Sequence, residues 1–180
     1  MRTRNLILLL ASLAVAPVVS AAPFYAGLRV GSELDGRFDD IGGDIDTDTP
    51  FGGYAGWRIN DTFALEFGAM TLGNSTRSDI ADGGLDLDGA IYQLGGVATV
   101  PLADRFDLQA GLGVFRLEED GEAGTIAGPR DIDTSESGAY LEIGGRYRFN
   151  EQWSLRGGYT WYDFDAGGDG NFWGGVQLDF

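Results

Sequence analysis

Eight stretches of this chain alternate apolar and polar side chains with a period of two, and in every one of them the apolar face is free of charge. Successive side chains on a β-strand point to opposite sides, so the pattern predicts strands with one apolar and one mixed face. The stretches fall at about 24–32, 50–59, 62–71, 89–101, 105–117, 138–149, 152–163 and 171–180. The apolar face collects Phe24, Leu28, Val30, Trp57, Ile59, Phe63, Leu65, Phe67, Tyr92, Leu94, Val100, Phe106, Leu108 and Leu112. It continues through Leu141, Ile143, Tyr147, Phe149, Trp153, Leu155, Tyr159, Trp161, Phe172, Val176, Leu178 and Phe180. The mixed face holds Arg29, Arg58, Glu66, Asp107, Glu142, Arg146, Arg148, Arg156 and Asp179 among glycines, glutamines and tyrosines.

The connections between strands are of two kinds. Trp57–Leu65, Val100–Leu108 and Tyr147–Leu155 are near-repeats, each an alternating run, a two-residue polar turn and a second run that opens on an aromatic. Aligned on Asp61, Asp104 and Glu151, they recur at intervals of 43 and 47 residues. Between them lie Gly- and Asp-rich segments at about 33–49, 72–88, 118–137 and 164–170, which predict longer loops. Short turns at one end and long loops at the other define an up-and-down barrel whose ends face different compartments.

Whether the charged face points outward or inward separates a soluble from a membrane barrel. The apolar face gathers Trp57, Phe63, Phe106, Tyr147, Phe149 and Trp153 beside the short turns. Rings at one level suit an interfacial girdle at headgroup depth, here the periplasmic edge. Tyr92, Trp161 and Phe172 would serve the opposite edge. A soluble sandwich with an aromatic-rich core is the competing arrangement. It leaves at least five arginines on its water face, with acidic loops at one end only. In lipid an open strand edge would leave backbone groups unpaired at a cost of several kcal/mol each, so the first strand is expected to pair with the last. The fold class read from these features is all-β, an eight-stranded antiparallel up-and-down transmembrane β-barrel.

Composition narrows the surroundings. The chain has no cysteine, no histidine and no lysine, so neither disulfides nor imidazole chemistry are at hand. Arg2 and Arg4 precede an apolar core beginning Leu6–Leu10, and Val19-Ser-Ala-Ala22 ends it, the plan of a secretory signal peptide. Residues 1–21 are therefore read as a cleaved leader and 22–180 as the barrel domain. Without Arg2 and Arg4, ten arginines face 28 carboxylates, a net charge of 10 − 28 = −18. That balance argues against nucleic acid as a partner.

With its leader, its Tyr147-Arg-Phe-Asn-Glu-Gln-Trp-Ser-Leu155 turn and a last strand ending in Phe180, the chain resembles the small OmpA-like outer-membrane β-barrel family (porin family) of Gram-negative bacteria. The resemblance implies the bacterial outer membrane as location. It also implies the barrel assembly machinery as a partner, recognising Phe180 with Val176 and Leu178 alternating before it. A periplasmic peptidoglycan-binding domain, present in OmpA proper, does not follow the barrel, so a cell-wall tether is not implied. Barrel enzymes such as lipid A deacylases, phospholipases and omptin-type proteases rely on a histidine base, which this chain lacks.

Arg29, Arg58, Glu66, Asp107, Glu142, Arg146, Arg148, Arg156 and Asp179 are then expected inside, as a lumen charge network. Counted from the short turns, Arg58, Asp107 and Arg148 share one level, and Glu66, Gln109, Arg146 and Arg156 another. An eight-stranded barrel is just wide enough for side chains to fill, so a charged plug is expected rather than an open pore. Glu66 and Glu142 sit among arginines, which favours a structural network over catalysis. The acidic loops carry seven carboxylates in Glu33–Asp48, four in 79–88 and seven in Glu118–Glu136. Asp44, Asp46 and Asp48 match the start of a calcium loop, but Thr49 and Ala55 stand where Gly and Glu are needed. Solvated loops with weak Ca2+ bridging to lipopolysaccharide are the expectation, with no cofactor. The protein is expected to be a monomeric, non-enzymatic barrel with a structural or interaction role among outer-membrane lipids. The alternative is a narrow porin-like channel for ions or small solutes.

Overall fold

The computed structural model describes residues 23–32, 46–47, 49–77, 85–125, 128–164 and 167–180. The expected leader, residues 1–21, and the calcium candidates Asp44 and Asp48 lie outside the described residues, and of Asp46 only the backbone is described. Among the described residues nine strands form: β1 (Phe24–Gly31), β2 (Asp46–Thr47), β3 (Phe51–Arg58), β4 (Phe63–Arg77), β5 (Leu85–Ala103), β6 (Phe106–Thr125), β7 (Gly128–Arg148), β8 (Trp153–Phe164) and β9 (Gly167–Asp179). Eight of them make a closed antiparallel ring, β4-β3-β1-β9-β8-β7-β6-β5, which β4–β5 pairing completes. The two-residue β2 lies outside the ring, against Ser75 and Thr76 of β4. First and last strands pair from Tyr25↔Asp179 to Gly31↔Trp173, and Phe180 N donates to Phe24 O at 3.2 Å. No ladder edge is left open along the ring, as an apolar surrounding requires.

The alternation of the sequence becomes the wall of the barrel. Leu112 and Phe172 are 65% and 67% exposed on the outside, whereas Ile91 and Tyr162 on the inside are fully buried. Around the ring, Leu28, Phe67, Leu94, Leu141 and Ile143 continue this outer apolar surface. In water, each such side chain would forgo about 1.5–3 kcal/mol of burial, and a belt this broad would aggregate. The outside of the ring is thus built for lipid.

The repeated turns are of two designs. Ile59 N donates to Phe63 O at 2.8 Å, and the Asn60 carboxamide oxygen accepts from Thr62 N at 2.9 Å and Phe63 N at 2.8 Å. Asn150 does the same for Gln152 N at 2.9 Å and Trp153 N at 2.8 Å. Both connections therefore span four residues, closed by an asparagine side chain that mimics the backbone. Asp104–Arg105 is the two-residue turn that the sequence suggested for all three, with Ala103 paired to Phe106 and a register shift after Pro101. Proline has no N–H for the ladder, and a bulge is where a strand tolerates that.

The other end of the barrel departs from expectation. Within segments 72–88 and 118–137 the described residues are strand rather than loop. β4–β5 pairing reaches Arg77↔Leu85, and β6–β7 pairing reaches Thr125↔Gly128. β7–β8 pairing by contrast starts at Tyr140↔Tyr162. Once a hairpin is in register its backbone ladder continues regardless of side-chain polarity, which Asp- and Gly-rich composition conceals.

Candidate functional site in the barrel interior

Inward side chains from seven strands meet at the centre of the barrel. Arg156 of β8, 1% exposed, donates from Nη1 to Glu66 Oε2 of β4 at 2.7 Å and faces Glu142 of β7 at 3.6 Å. Glu142 also faces Arg29 of β1 at 3.7 Å and accepts from Thr160 Oγ1 at 3.1 Å. The Tyr25 hydroxyl gives Glu66 a second donor at 2.7 Å, and Arg29 donates to Gln93 Oε1. Two guanidinium groups and two carboxylates balance, which is the condition for holding charges out of water. Aromatic faces complete the enclosure: the Arg156 guanidinium stands 4.6 Å from the Tyr54 ring centroid and 5.5 Å from that of Trp173.

Room for these groups comes from paired positions. Tyr25 stands opposite Gly56 and Gly27 opposite Tyr54 on β1 and β3, and each ring lies across the facing glycine. Any side chain at Gly27 or Gly56 would strike the ring that carries Glu66 or flanks Arg156.

A second charged group lies nearer the short turns. Asp107 of β6 pairs with Arg146 at 2.8 Å and Arg148 at 3.2 Å, both on β7. Arg148 Nη2 also donates to Asp104 O at 3.1 Å, tying the group to its turn. Arg58 pairs with Asp179, which accepts from Gln177 Nε2 at 2.7 Å. The level count is corrected here in two places: Arg58 pairs with Asp179 rather than joining Asp107, and Arg146 joins Asp107 rather than Glu66. Strands in a closed barrel are tilted and staggered, so equal distance from a turn is not equal height.

A third layer goes beyond the sequence reading, which placed only its tyrosines on the inner face. Ile91, Phe115, Leu117, Tyr140, Tyr162 and Phe164 pack together inside the barrel at the end away from the short turns, with Leu72 against them. Phe115 meets Tyr162 and Phe164 edge-on at centroid distances of 5.2 and 4.9 Å. The Tyr162 hydroxyl accepts from Gln93 Nε2 at 2.8 Å and so joins this cap to the charged centre. The signal was available: Ile91 shares its parity with Gln93, and Phe115 and Leu117 share theirs with Asp107 and Gln109.

On the outside, Trp57, Phe63, Phe106, Tyr147, Phe149 and Trp153 all project from the wall beside the short turns, each about half exposed. Tyr147 and Phe149 touch edge-on at 5.4 Å. Val176 faces outward with them, while Leu178 and Phe180 are half-buried at the seam of β1 and β9. Among the described residues no three carboxylates gather as a metal site would require.

A sheet closed on itself, apolar outside and charged within, defines a membrane-spanning β-barrel protein. The chain belongs to the family described as outer membrane protein beta-barrel domain, whose model matches residues 6–180. That membership points to the bacterial outer membrane. Its fold is similar to Neisserial surface protein A, at 13% identity and a TM-score of 0.65, covering 90% of this chain and 100% of that one. It is also similar to OprG of Pseudomonas aeruginosa (17% identity, TM-score 0.59, 89% and 96% covered). A third such fold is Ail, the attachment invasion locus protein of Yersinia pestis (13% identity, TM-score 0.57, 87% and 96% covered). No curated protein sequence matches the chain.

Proposed function

We propose that this protein is a structural and interaction barrel of the outer membrane, with a plugged lumen and no catalytic activity. One observation carries the proposal: the interior is filled in series by the Arg58–Asp179 and Asp107–Arg146–Arg148 ion pairs near the short turns, the Arg156 centre and the Phe115/Tyr162 cap. Each layer sets inward side chains from several strands against one another across the bore. Glu66 and Glu142 are held by arginines, leaving neither carboxylate placed to act as a general acid. Phe180, with Val176 and Leu178, is the segment we assign to the assembly machinery. The six aromatics beside the short turns set the periplasmic edge. The extended hairpins β4–β5 and β6–β7 then reach toward the exterior, among lipopolysaccharide.

A narrow channel is the second reading. It is favoured by Ser154 Oγ, Trp173 Nε1 and both amide atoms of Asn171, which are buried in the interior without a hydrogen-bond partner among the described residues. Such groups line water paths as well as plugs. Release of a small sugar from proteoliposomes separates the two. We expect release no faster than from protein-free vesicles, and release that scales with protein content would overturn the structural role.

A further inference from the structure

The outer wall changes character over three successive rows at the end away from the short turns. On β5, β6 and β7 the directly paired outward residues Leu94, Val114 and Ala139 form an apolar row. The next row is Tyr92, Arg116 and Ser137, and the one beyond it Ala90, Glu118 and Ser135. A phenol, a guanidinium and a hydroxyl thus stand side by side immediately above the lipid-facing belt. Carboxylates begin only one row further out.

Arg116 is unlike the other arginines. Arg29, Arg58, Arg146, Arg148 and Arg156 belong to the interior, and Arg105 lies in a short turn. Among the described side chains Arg116 is therefore the one cation on the outer wall at this end. Its side chain is 59% exposed, and it is held by Glu118, which accepts from Nε at 3.0 Å. A guanidinium anchored through Nε presents its Nη edge, the geometry that suits a phosphate oxygen pair. Beneath it an open groove of about 500 Å³ is lined by Phe67, Leu94, Val114, Tyr92, Arg116 and Ser137.

We propose that this step in the wall docks a phosphorylated glycolipid of the surrounding leaflet, its phosphate on Arg116 and an acyl chain in the groove. Charge selects the place, because in a chain of 28 carboxylates and 12 arginines Arg116 is, among the described side chains, the one cation on the outer wall at this end. The row itself selects the headgroup class. Tyr92 and Ser137 flank the guanidinium at the spacing of neighbouring strands, about 5 Å, which suits sugar hydroxyls on either side of a phosphate monoester. A simple phospholipid offers a single-charged diester with no ring beside it. The site rests on the outer-membrane barrel proposed above and gives the glycolipid around it a defined place on the wall, and it depends on the membrane-spanning wall rather than on a closed lumen.

The test uses the full barrel in non-ionic detergent, with bound lipid counted by native mass spectrometry. Three probes are compared: bis-phosphorylated lipid A, its enzymatically dephosphorylated form, and phosphatidylglycerol. Lipid A should bind most tightly, and Arg116→Gln should weaken it about tenfold, the loss of one charge-assisted contact. Glu118→Gln should strengthen binding, since the amide oxygen can still accept from Nε while the negative charge beside the phosphate is gone. Arg116 lies on the outer wall, so its variant should keep the heat-modifiable mobility of the folded barrel. Unchanged lipid A binding by folded Arg116→Gln would overturn the site. Phosphatidylglycerol binding as tightly as lipid A would overturn the glycolipid assignment. Neither result bears on solute release, so failure here is distinct from failure of the plugged-lumen proposal.

Discussion

Arg156→Ala is expected to lower the unfolding free energy of the refolded barrel by about 3–5 kcal/mol, the usual cost of removing one member of a buried ion cluster. Among the described side chains Arg156 is the one that pairs with both Glu66 and Glu142. Its loss leaves Glu66 with only the Tyr25 hydroxyl at 2.7 Å, and Glu142 with Arg29 at 3.7 Å and Thr160 at 3.1 Å. Two carboxylates are then left in the middle of the barrel with one cation between them. The cavity between the Tyr54 and Trp173 rings adds to the loss. Glu66→Ala should also destabilise, but by less, because Glu142 still faces the guanidinium. Urea titration in detergent, followed by heat-modifiable gel mobility, reads both effects. An unchanged midpoint for Arg156→Ala would mean that the cluster is solvated and not a plug.

Phe115→Ala should cost a comparable amount, about 3–5 kcal/mol, for a different reason. Phe115 is 2% exposed and packs edge-on against Tyr162 and Phe164. Truncation would open the cap at its centre, and Ile91 and Leu117 cannot close the gap while their own strands are held in register. Phe115→Leu should recover most of the stability, since it refills volume without restoring the ring contacts. Equal midpoints for Phe115→Ala and the parent protein would show that the cap contributes no packing. The two substitutions are chemically unlike, and agreement of both would locate the stability of this barrel in its interior, since the outer wall exchanges one apolar surrounding for another.

Much of this architecture is legible in the sequence because a period of two leaves each side chain only two choices of face. Leu28 and Arg29 are neighbours in the chain, yet one is 58% exposed to lipid and the other 3% exposed in the centre, as parity alone requires. Closure of β1 on β9 followed from the cost of an open edge in lipid. Heights within the barrel did not follow, since the stagger between strands is a property of the closed ring. Arg58 consequently found Asp179, which lies 121 positions away. Hairpin length was hidden because Asp86 and Asp88 read as loop residues, although Leu85 and Leu87 keep the strand alternation. The cap was missed because a polar interior was expected throughout, and apolar residues of inward parity were left unassigned. Arg116 shows the reverse case. It shares the outer parity of Leu112 and Val114, and it is polar because the belt ends there.

The plugged interior is the claim on which the functional proposal stands, and single-channel recording in planar lipid bilayers tests it most directly. Purified, refolded protein at high salt should give a flat baseline, while Arg156→Ala combined with Phe115→Ala, which removes side chains from two of the three layers, should give resolvable steps. A stable, reproducible conductance step from the unaltered protein would contradict the plug and establish the channel.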